Sequence, residues 1–498
     1  MWNYKALQNG SDIRGIAVKT EGGQPVNLSP YTCAKIACGF VIWLSAITGK
    51  NYLHIAIGRD PRISSEDIEK AVREMIARAG CEVHICGLAT TPEMFMSTVM
   101  PGMSEPACDG AIMITASHLP YDRNGMKFFT KHGCLGSSEI EQILKFAEDV
   151  NDNFSINREW KWVFPRKMME EYSAHLRRVI CEGLGTSEDE KPLSGLRIAV
   201  DAGNGSGGFY VADVLEPLGA DCSGSQFLEP DGMFPNHTPN PEDPEALESI
   251  CRAVKENGAD LGIIFDTDVD RAAAVGSDGK EIARNRIVAL AAYIASKDHP
   301  GTTIVTDSIT STQLGEYIEK ELGCRHFRFR RGYKNVIDKG RELESEGIDC
   351  QLAIETSGHA AMKENYFLDD GAYLATKIVV EAARLKKDGK HIEDLIAGLK
   401  DPLEAKEVRF KVLAEDFSSY AQEVLDFVEK EAPKLEGWSL ELPNYEGVRV
   451  NVPGGWFLLR KSLHDPVMPL NIESDVKGGV EETLKKIKEL LSSFDGLE

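Results

Sequence analysis

The sequence lacks the features of a disulfide-linked, zinc-bound or membrane-spanning chain. None of its 11 cysteines forms a CxxC pair or lies beyond Cys350. This argues against a disulfide framework and a structural zinc site, and it favours a reducing compartment. The most apolar run, residues 40–46, is far shorter than the roughly 18 residues of a membrane span. The opening MWNYKALQNGSDIRG has no signal-peptide or transit-peptide character.

Positive charge is also scarce. The chain carries 56 basic and 79 acidic residues, a net charge of −23. Such a surface repels phosphate backbones and anionic lipids, so we expect neither nucleic acid nor a membrane as a partner. An anionic small molecule remains possible where basic side chains concentrate locally.

Length and composition indicate a multidomain globular protein. The 498 residues correspond to about three or four domains of roughly 150 residues. Hydrophobic residues make up 42% and charged residues 27% of the chain, which excludes a disordered or fibrous protein.

Short apolar runs alternate with polar loops and helical periodicity, which predicts parallel sheets with helices between the strands. In such sheets, function lies in the loops beyond the carboxyl ends of the strands. The predicted strands are His54–Ile57, Glu82–Ile85, Gly110–Thr115, Leu196–Val200, Leu261–Phe265, Thr302–Val305 and Leu352–Ile354, and the predicted helices among them are Glu66–Ala79 and Ser137–Asp149.

The tail has a different pattern. Val448–Ser474 predicts consecutive strands with a turn at Pro453–Gly455, and Val480–Ser492 predicts an amphipathic helix. The sequence therefore predicts three successive related α/β domains with mixed, mostly parallel sheets, and a smaller C-terminal α+β domain. The predicted ranges are 1–163, 164–281, 282–400 and 401–498.

The segment ITASHLPYDRNGMKFF, residues 114–129, places Ser117, His118 and Lys127 just after a predicted strand. On an exposed turn, Ser117 would be a nucleophile or a phosphate carrier, because a serine acts only with an activating base or a covalent group. The alternative is a polar turn with a capping serine.

The segment FDTDVDR, residues 265–271, places Asp266, Asp268 and Asp270 at alternate positions after an apolar strand. Three converging carboxylates repel one another unless a cation lies between them. Oxygen ligands alone favour a hard ion such as Mg²⁺, and the loop lacks the glycine and glutamate of an EF-hand. The alternative is an acidic, solvated loop.

Two weaker loops complete the candidate set. In ETSGH, Glu355 and Ser357 are suited to sugar hydroxyls and His359 to proton transfer, although a helix cap with a surface histidine is the alternative. In LLRKSLHDP, residues 458–466, donors cluster as in a phosphate clamp, and a solvated basic turn is the alternative.

A rival signal is GNGSGG, where Gly203, Gly205 and Gly208 fit the GxGxxG spacing of a dinucleotide site. Glu229 lies at a suitable distance for a ribose partner. A single match is weak, and a tight strand–helix turn explains it as well.

Together, the loops resemble the α-D-phosphohexomutase family. The order TASH, DTDVDR, ETSGH and then an arginine–serine loop runs across nearly the whole chain. The DAGNG turn is similar to one in the family's second domain, which removes the need for a dinucleotide. The TASHLP variant is similar to a plant and algal, plastid-associated branch. Four further stretches are similar to the family: SDIRG at 11–15, GRDPRISS at 58–65, GLATTPEM at 87–94 and PDGMFPNHTPNPEDPE at 230–245.

The resemblance implies the transfer machinery. Ser117 matches the serine that carries the transferable phosphoryl group. Asp266, Asp268 and Asp270 match the ligands of one Mg²⁺ per chain, and a phosphate oxygen on Ser117 would be a further ligand that completes this metal site. The implied fold places the four domains around a central cleft.

The resemblance also implies roles for the polar residues around Ser117. Arg271 would help to hold the phosphoryl group, and Arg14 and Lys127 match basic residues implicated in proton handling and charge stabilisation. His118 is the immediate neighbour of the serine.

The matching sugar-binding residues lie further along the chain. Glu355 and Ser357 belong to the loop that holds sugar hydroxyls, together with His359. Gly332 and Tyr333 match the segment thought to recognise sugar orientation.

Arg460, Ser462 and His464 fall on the phosphate-binding loop of the last domain. Departures from the family occur in this loop and in the loop after Ser117. Leu463 and His464 replace the usual asparagine or glycine followed by threonine, and Leu119 replaces an asparagine beside the serine. These changes affect the expected substrate and turnover more than the transfer machinery.

The implied activity is interconversion of hexose 1-phosphate and hexose 6-phosphate, with glucose or mannose as the sugar. A hexose 1,6-bisphosphate is the implied intermediate and activator. Alternatives are a phosphoglucosamine mutase, a hexose 1,6-bisphosphate synthase and a non-catalytic sugar-phosphate-binding regulator. We expect a monomer or homodimer in the cytoplasm or plastid stroma.

Overall fold

The computed structural model describes residues 3–100, 106–150, 162–462 and 465–498. By contact density the chain divides into an N-terminal unit, Met1–Ile287 with Ser357–Leu395, and a C-terminal unit, Val288–Thr356 with Ile396–Glu498. The helices are α1 (Pro30–Thr48), α2 (Ser65–Arg78), α3 (Thr91–Val99), α4 (Ser137–Asp149), α5 (Met168–Leu184), α6 (Pro244–Asn257), α7 (Asn285–Lys297), α8 (Thr312–Glu316), α9 (Tyr333–Ser345), α10 (Gly371–Lys387), α11 (Phe417–Glu431) and α12 (Gly479–Leu490).

The strands are short and mostly buried. They are β1 (Gln8–Asn9), β2 (Asp12–Ile16), β3 (His54–Arg59), β4 (Glu82–Leu88), β5 (Gly110–Ile114), β6 (Arg123–Thr130), β7 (Gly133–Cys134), β8 (Val163–Pro165), β9 (Ile198–Asp201), β10 (Leu261–Phe265), β11 (Ala272–Val275), β12 (Glu281–Ile282), β13 (Thr303–Thr306), β14 (Arg325–Arg328), β15 (Cys350–Ile354), β16 (Ala360–Met362), β17 (Leu368–Asp369), β18 (Glu404–Lys411), β19 (Ser439–Leu440), β20 (Val448–Val452), β21 (Gly455–Leu459) and β22 (Val467–Ser474).

The N-terminal unit contains two mixed sheets. The first has the order β1-β2-β6-β5-β3-β4-β8, with β7 paired to β6. Strands β5, β3, β4 and β8 are parallel, whereas β1, β2, β6 and β5 pair antiparallel. The second sheet has the order β12-β11-β10-β9, with β9 and β10 parallel.

Helix α1 packs in the apolar core of the first sheet. Ser29 caps it by accepting a hydrogen bond from Thr32 N, and Gly49 ends it in a left-handed conformation with φ 68°. By length and composition α1 is able to cross a membrane, which corrects the expectation that no segment is long enough. The apolar run extends because Lys35 is its only charged residue. However, 61% of the apolar window is buried within the protein, as expected for a core helix.

The C-terminal unit combines a parallel and an antiparallel sheet. Strands β14, β13 and β15 pair in parallel in that order. The antiparallel sheet has the order β18-β22-β21-β20-β19 and shares an apolar core with helices α11 and α12. The predicted fold class of three α/β domains with mixed sheets and a smaller C-terminal domain is confirmed. The four domain ranges stay a prediction.

The strands position the candidate loops. Ser117 follows β5, the aspartates follow β10, Glu355 follows β15 and Arg460 follows β21. All 11 cysteines are free thiols, and the reducing compartment stays a prediction.

Helix α3 supplies a stability test. Glu93 is fully buried, and its carboxyl oxygen Oε2 accepts a hydrogen bond from Thr90 N at 3.0 Å. Burial raises its pKa to about 8. Because the folded pKa lies above the unfolded one, the folded state binds the extra proton, and stability falls as pH rises from about 4.5 to 8.

We expect Glu93→Gln to remove this slope, which is at most about 1.4 kcal/mol per pH unit. The variant should gain stability relative to the parent as pH rises, measured as the difference in melting temperature across the pH range. Glu139→Gln is the matched control, since Glu139 has the same position at the start of α4 and is only partly buried. A parallel pH dependence in the parent and Glu93→Gln would contradict the assignment.

Candidate active site

Ser117 lies in the loop after β5 and has a strained backbone. Its φ of 51° is left-handed, which is unusual for a residue with a side chain. Thr115 Oγ1 holds this conformation by accepting a hydrogen bond from Ser117 N at 2.9 Å. The expectation of an exposed turn is wrong, since Ser117 is only 3% exposed. Polar side chains cover its hydroxyl: Ser117 Oγ lies 3.0 Å from Asp266 Oδ2 and 3.2 Å from Arg271 Nη2.

A buried guanidinium holds the serine loop from behind. Arg62 donates to the carbonyl oxygens of Ser117, of Leu119 at 2.7 Å and of Pro120 at 2.6 Å. Asp60 orients it, with Oδ2 3.0 Å from Arg62 Nε. Sequence reasoning missed Arg62, although it lies in the GRDPRISS stretch, because nothing in its local pattern identifies which backbone it binds.

Asp266, Asp268 and Asp270 converge as the alternate spacing predicts. One carboxylate oxygen from each lies within 4.8 Å of the others, and all three side chains are buried. Asp268 Oδ1 and Asp270 Oδ1 accept no hydrogen bond from the part of the chain that the structure describes. The solvated-loop alternative therefore does not describe this loop.

Two cations lie against the three carboxylates. Lys127 Nζ is 3.1 Å from Asp268 Oδ2 and also contacts Asp270. Arg271 Nη2 is 3.0 Å from Asp266 Oδ2. Three buried carboxylates thus face two positive side chains, and a further cation would reduce the repulsion among the carboxylates.

The pKa values express the same imbalance. Burial and the neighbouring Asp270 raise the pKa of Asp266 well above its ordinary range. Burial also tends to raise the pKa of Asp270, but attraction to the Lys127 ammonium outweighs this effect, so the pKa of Asp270 is lowered. Burial opposes the charge of Lys127, yet Asp268 and Asp270 raise its pKa well above the usual value. The protonated, positively charged form of Lys127 is therefore favoured beside these carboxylates.

The donor set fits a hard divalent cation. The three aspartates offer only oxygen atoms, which Mg²⁺ prefers, and two of these buried oxygens lack hydrogen-bond donors among the described residues. Thr91 Oγ1 donates to Asp268 Oδ2 at 2.6 Å and so orients one ligand. Thr91 is a second residue that sequence reasoning missed.

Arg271 connects the serine to its neighbours. Besides Ser117 Oγ, its Nη2 contacts His118 Nδ1 at 2.7 Å, and its Nη1 donates to Asn240 Oδ1 at 3.1 Å. Burial and the Arg271 charge lower the pKa of His118 to about 2. The neutral form of His118 is therefore favoured, and its Nδ1 accepts a hydrogen bond from Arg271, while its catalytic role stays a prediction. Asn240 was not predicted individually.

Arg14 and His359 also lie in this unit. Arg14 Nη1 donates to Ala116 O at 3.0 Å, directly before the serine. His359 Nε2 lies 3.6 Å from Asp270 Oδ1, and its Nδ1 is 2.9 Å from Ser357 Oγ. Within the predicted ETSGH loop, Ser357 and His359 thus belong to the N-terminal unit with the aspartates, whereas Glu355 belongs to the C-terminal unit.

The glycine turn after β9 supports the aspartate loop. A Cβ atom on Gly205 would lie 2.7 Å from Thr267 O, and Ser206 N donates to the same oxygen at 2.8 Å. Close packing against the loop therefore explains a glycine at position 205, and no dinucleotide is needed to account for it.

In the C-terminal unit, the structure brings together two predicted segments. Glu355 Oε1 accepts a hydrogen bond from Gly332 N at 2.6 Å, and Gly332 has a φ of 113°, which favours glycine. Burial and the nearby Glu355 raise the pKa of Asp307 to about 7. Asp307 was not predicted, although it directly follows β13.

Arg460 also lies in the C-terminal unit and is 9% exposed. Its Nε donates to no described residue. Burial and the nearby Arg331 lower its pKa, so an anion would relieve two adjacent positive charges. Ser462 Oγ accepts from Asp465 N at 3.2 Å. His464 and Leu463 lie outside the described residues.

Comparisons with known proteins agree with the resemblance. Models of phosphoglucomutase/phosphomannomutase alpha/beta/alpha domains I, II and III match residues 5–153, 170–279 and 283–401. A phosphomannomutase/phosphoglucomutase from Pseudomonas aeruginosa is 31% identical over 439 residues, which is 87% of this chain and 85% of that protein.

Two further relatives span most of the chain. A probable phosphoglucosamine mutase from Methanopyrus kandleri is 29% identical over 437 residues, covering 84% of this chain and 86% of that protein. A crystal structure of a phosphoglucomutase/phosphomannomutase family protein from Burkholderia thailandensis has a TM-score of 0.80 at 25% identity, covering 97% and 96% of the two chains. The chain belongs to the α-D-phosphohexomutase family, and it is an isomerase of the phosphohexomutase type.

Proposed function

We propose that the chain interconverts hexose 1-phosphate and hexose 6-phosphate through a phosphoryl group carried on Ser117. The observation that supports this most directly is the 3.0 Å contact between Ser117 Oγ and Asp266, one of three converging buried aspartates. Glucose and mannose phosphates are the proposed substrates, and the names of the relatives keep glucosamine phosphate as the alternative.

The reaction needs two transfers. In the first, a free sugar hydroxyl attacks the phosphorus on Ser117, and the new P–O bond forms as the bond to Ser117 Oγ breaks. The sugar hydroxyl gives up its proton and Ser117 Oγ takes one up as it leaves, so that hexose 1,6-bisphosphate and a free serine hydroxyl result. After the bisphosphate turns end over end, Ser117 Oγ attacks its other phosphate, and the sugar oxygen regains a proton. The bisphosphate is therefore both intermediate and activator.

Apart from the bond to Ser117, phosphoryl transfer depends mainly on alignment of the reacting groups and on charge neutralisation. Lys127 and Arg271 offset the charge that develops on the phosphoryl oxygens, and Arg14 lies beside the same loop. Asp266, Asp268 and Asp270 would hold one Mg²⁺, which supplies Lewis-acid polarisation when bound.

The remaining predicted residues are proposed to hold the sugar phosphate. Glu355 and Ser357 would bind hydroxyls that the bisphosphate presents in both orientations. Gly332 and Tyr333 would recognise the orientation of the sugar. Arg460, with Ser462 and His464, would hold the phosphate that is not transferred. A weak clamp at this position would favour release of the bisphosphate, so a synthase is the second candidate.

The assembly and compartment also stay proposals. We propose a monomer or homodimer in the cytoplasm or plastid stroma, which acts on small-molecule sugar phosphates without nucleic acid or membrane partners.

Replacing Ser117 with alanine tests the covalent step. We expect Ser117→Ala to lose one phosphate from the intact mass and several orders of magnitude in kcat, because no other group takes up the phosphoryl group. Ser138→Ala, at an exposed serine of α4, is the control and should keep both. If Ser117→Ala retains the phosphate or the turnover, Ser117 is not the carrier.

Replacing Asp268 with asparagine tests the cation site. We expect about a 100–1,000-fold fall in kcat and a higher Mg²⁺ requirement, since the change removes one negative charge at nearly constant size. The measurement is activity against Mg²⁺ concentration after EDTA treatment, with Asp278→Asn on an exposed loop as control. Unchanged Mg²⁺ dependence, or full activity in EDTA, would refute the site.

Replacing Arg460 with alanine tests the phosphate clamp. Loss of a charge-assisted contact worth about 1.5–3 kcal/mol corresponds to a roughly 10–100-fold increase in KM. The assay uses glucose, mannose and glucosamine 1-phosphates under one condition, with and without added bisphosphate, and so also separates mutase from synthase. Arg409→Ala, an exposed arginine of β18, serves as control. An unchanged KM for every sugar would remove Arg460 from the clamp.

A further inference from the structure

A second cluster of metal-binding side chains lies on the first sheet of the N-terminal unit. His54 and Glu82 are the first residues of the parallel strands β3 and β4, and they are direct partners across the two strands. His84 is two residues beyond Glu82, so its side chain lies on the same face of β4. The sheet itself therefore brings the three side chains together.

The three ligand atoms form a nearly equilateral triangle. His54 Nδ1 and Glu82 Oε1 are 3.3 Å apart, His84 Nε2 and Glu82 Oε1 are 3.2 Å apart, and the two nitrogen atoms are 3.4 Å apart. Tetrahedral Zn²⁺ binds such atoms at about 2.0–2.1 Å, which separates neighbouring ligands by about 3.3–3.4 Å. The triangle thus has the dimensions of one face of a zinc tetrahedron.

The surroundings orient the ligands and leave access to solvent. Tyr52 donates from its hydroxyl to the other carboxylate oxygen of Glu82 at 2.6 Å, the kind of contact that fixes a metal-binding carboxylate. The side chains of His54 and Glu82 are 26% and 18% exposed, whereas that of His84 is 1% exposed. A cation bound by these three atoms would therefore lie against the buried side chain of His84, with solvent access for a fourth ligand beside His54 and Glu82.

The cluster is separate from the candidate active site. Ser117 follows the carboxyl end of β5, which pairs with β3 so that Ile114 lies beside Arg59. His54 lies at the other end of β3, five residues away, or about 16 Å along the strand. The aspartate loop offers only oxygen atoms, whereas this cluster offers two nitrogen atoms and one oxygen.

We propose that His54, Glu82 and His84 form a binding site for Zn²⁺ or a similar borderline divalent cation, with water as the fourth ligand. Imidazole nitrogens select such ions over Mg²⁺. A bound ion links the starts of β3 and β4, so its role is to stabilise the first sheet. This site is independent of the proposed reaction.

Zinc binding to the full-length chain tests the proposal. ZnCl₂ is titrated in saturating Mg²⁺ against a chromophoric chelator, and the number of ions bound is compared between variants. We expect the parent to bind one more Zn²⁺ than His54→Gln or Glu82→Gln, with a higher melting temperature in zinc. His391→Gln, at an exposed histidine of the same unit, should match the parent.

Tyr52→Phe gives a graded test, because loss of a ligand-orienting hydrogen bond weakens metal affinity by about 10–100-fold. Cobalt(II) in place of zinc should give the intense visible absorption of tetrahedral coordination in the parent but not in His54→Gln. The mutase activity of His54→Gln in Mg²⁺ should equal that of the parent. Equal zinc stoichiometry in the parent, His54→Gln and Glu82→Gln would overturn the proposal and leave a hydrogen-bonded cluster only.

Discussion

The concentration of buried negative charge at Asp266, Asp268 and Asp270 is the constraint on which the rest of the N-terminal unit depends. Three carboxylates are stable in a protein interior only beside compensating charge. Lys127 comes from β6, and Arg271 directly follows the third aspartate. Both cations are held by the carboxylates they neutralise, so the cations and the carboxylates fix one another's positions. The same charges that stabilise the loop would meet a phosphoryl group on Ser117.

A second buried ion pair supports this arrangement from behind the serine. Burial lowers the pKa of Arg62 and raises that of Asp60, so the pair is costly to desolvate. It is compensated by the carbonyl oxygens of the serine loop, which accept from the same guanidinium. The left-handed backbone of Ser117 therefore rests on specific hydrogen bonds rather than on local preference. Strain of this kind is typical of functional loops.

The C-terminal unit has a different electrostatic character. Glu355, Arg331 and Glu446 lie close enough to Asp307 to shift its pKa, and Arg331 and Glu446 likewise affect Arg460, so acceptors and donors of hydrogen bonds lie close together. For example, Arg331 N donates to Glu446 Oε2 at 3.1 Å. Such a mixture suits a ligand with both hydroxyl groups and a phosphate, whereas the excess of carboxylates after β10 suits a cation. In each unit these side chains lie in loops next to the strands.

The sequence alone predicted part of the secondary structure and the main candidate loops. Leu261–Phe265 and Ser137–Asp149 were predicted with the bounds that β10 and α4 have, because apolar periodicity and capping residues are local properties. The convergence of the three aspartates was predictable for the same reason. The tertiary structure decided what joins distant segments: the contact of Ser117 with Asp266 spans 149 positions, and that of Thr91 with Asp268 spans 177. It also decided the burial of Ser117, the roles of Arg62 and Asn240, and the grouping of Ser357 and His359 with the aspartates, since contacts across a sheet leave no periodic signal in the chain.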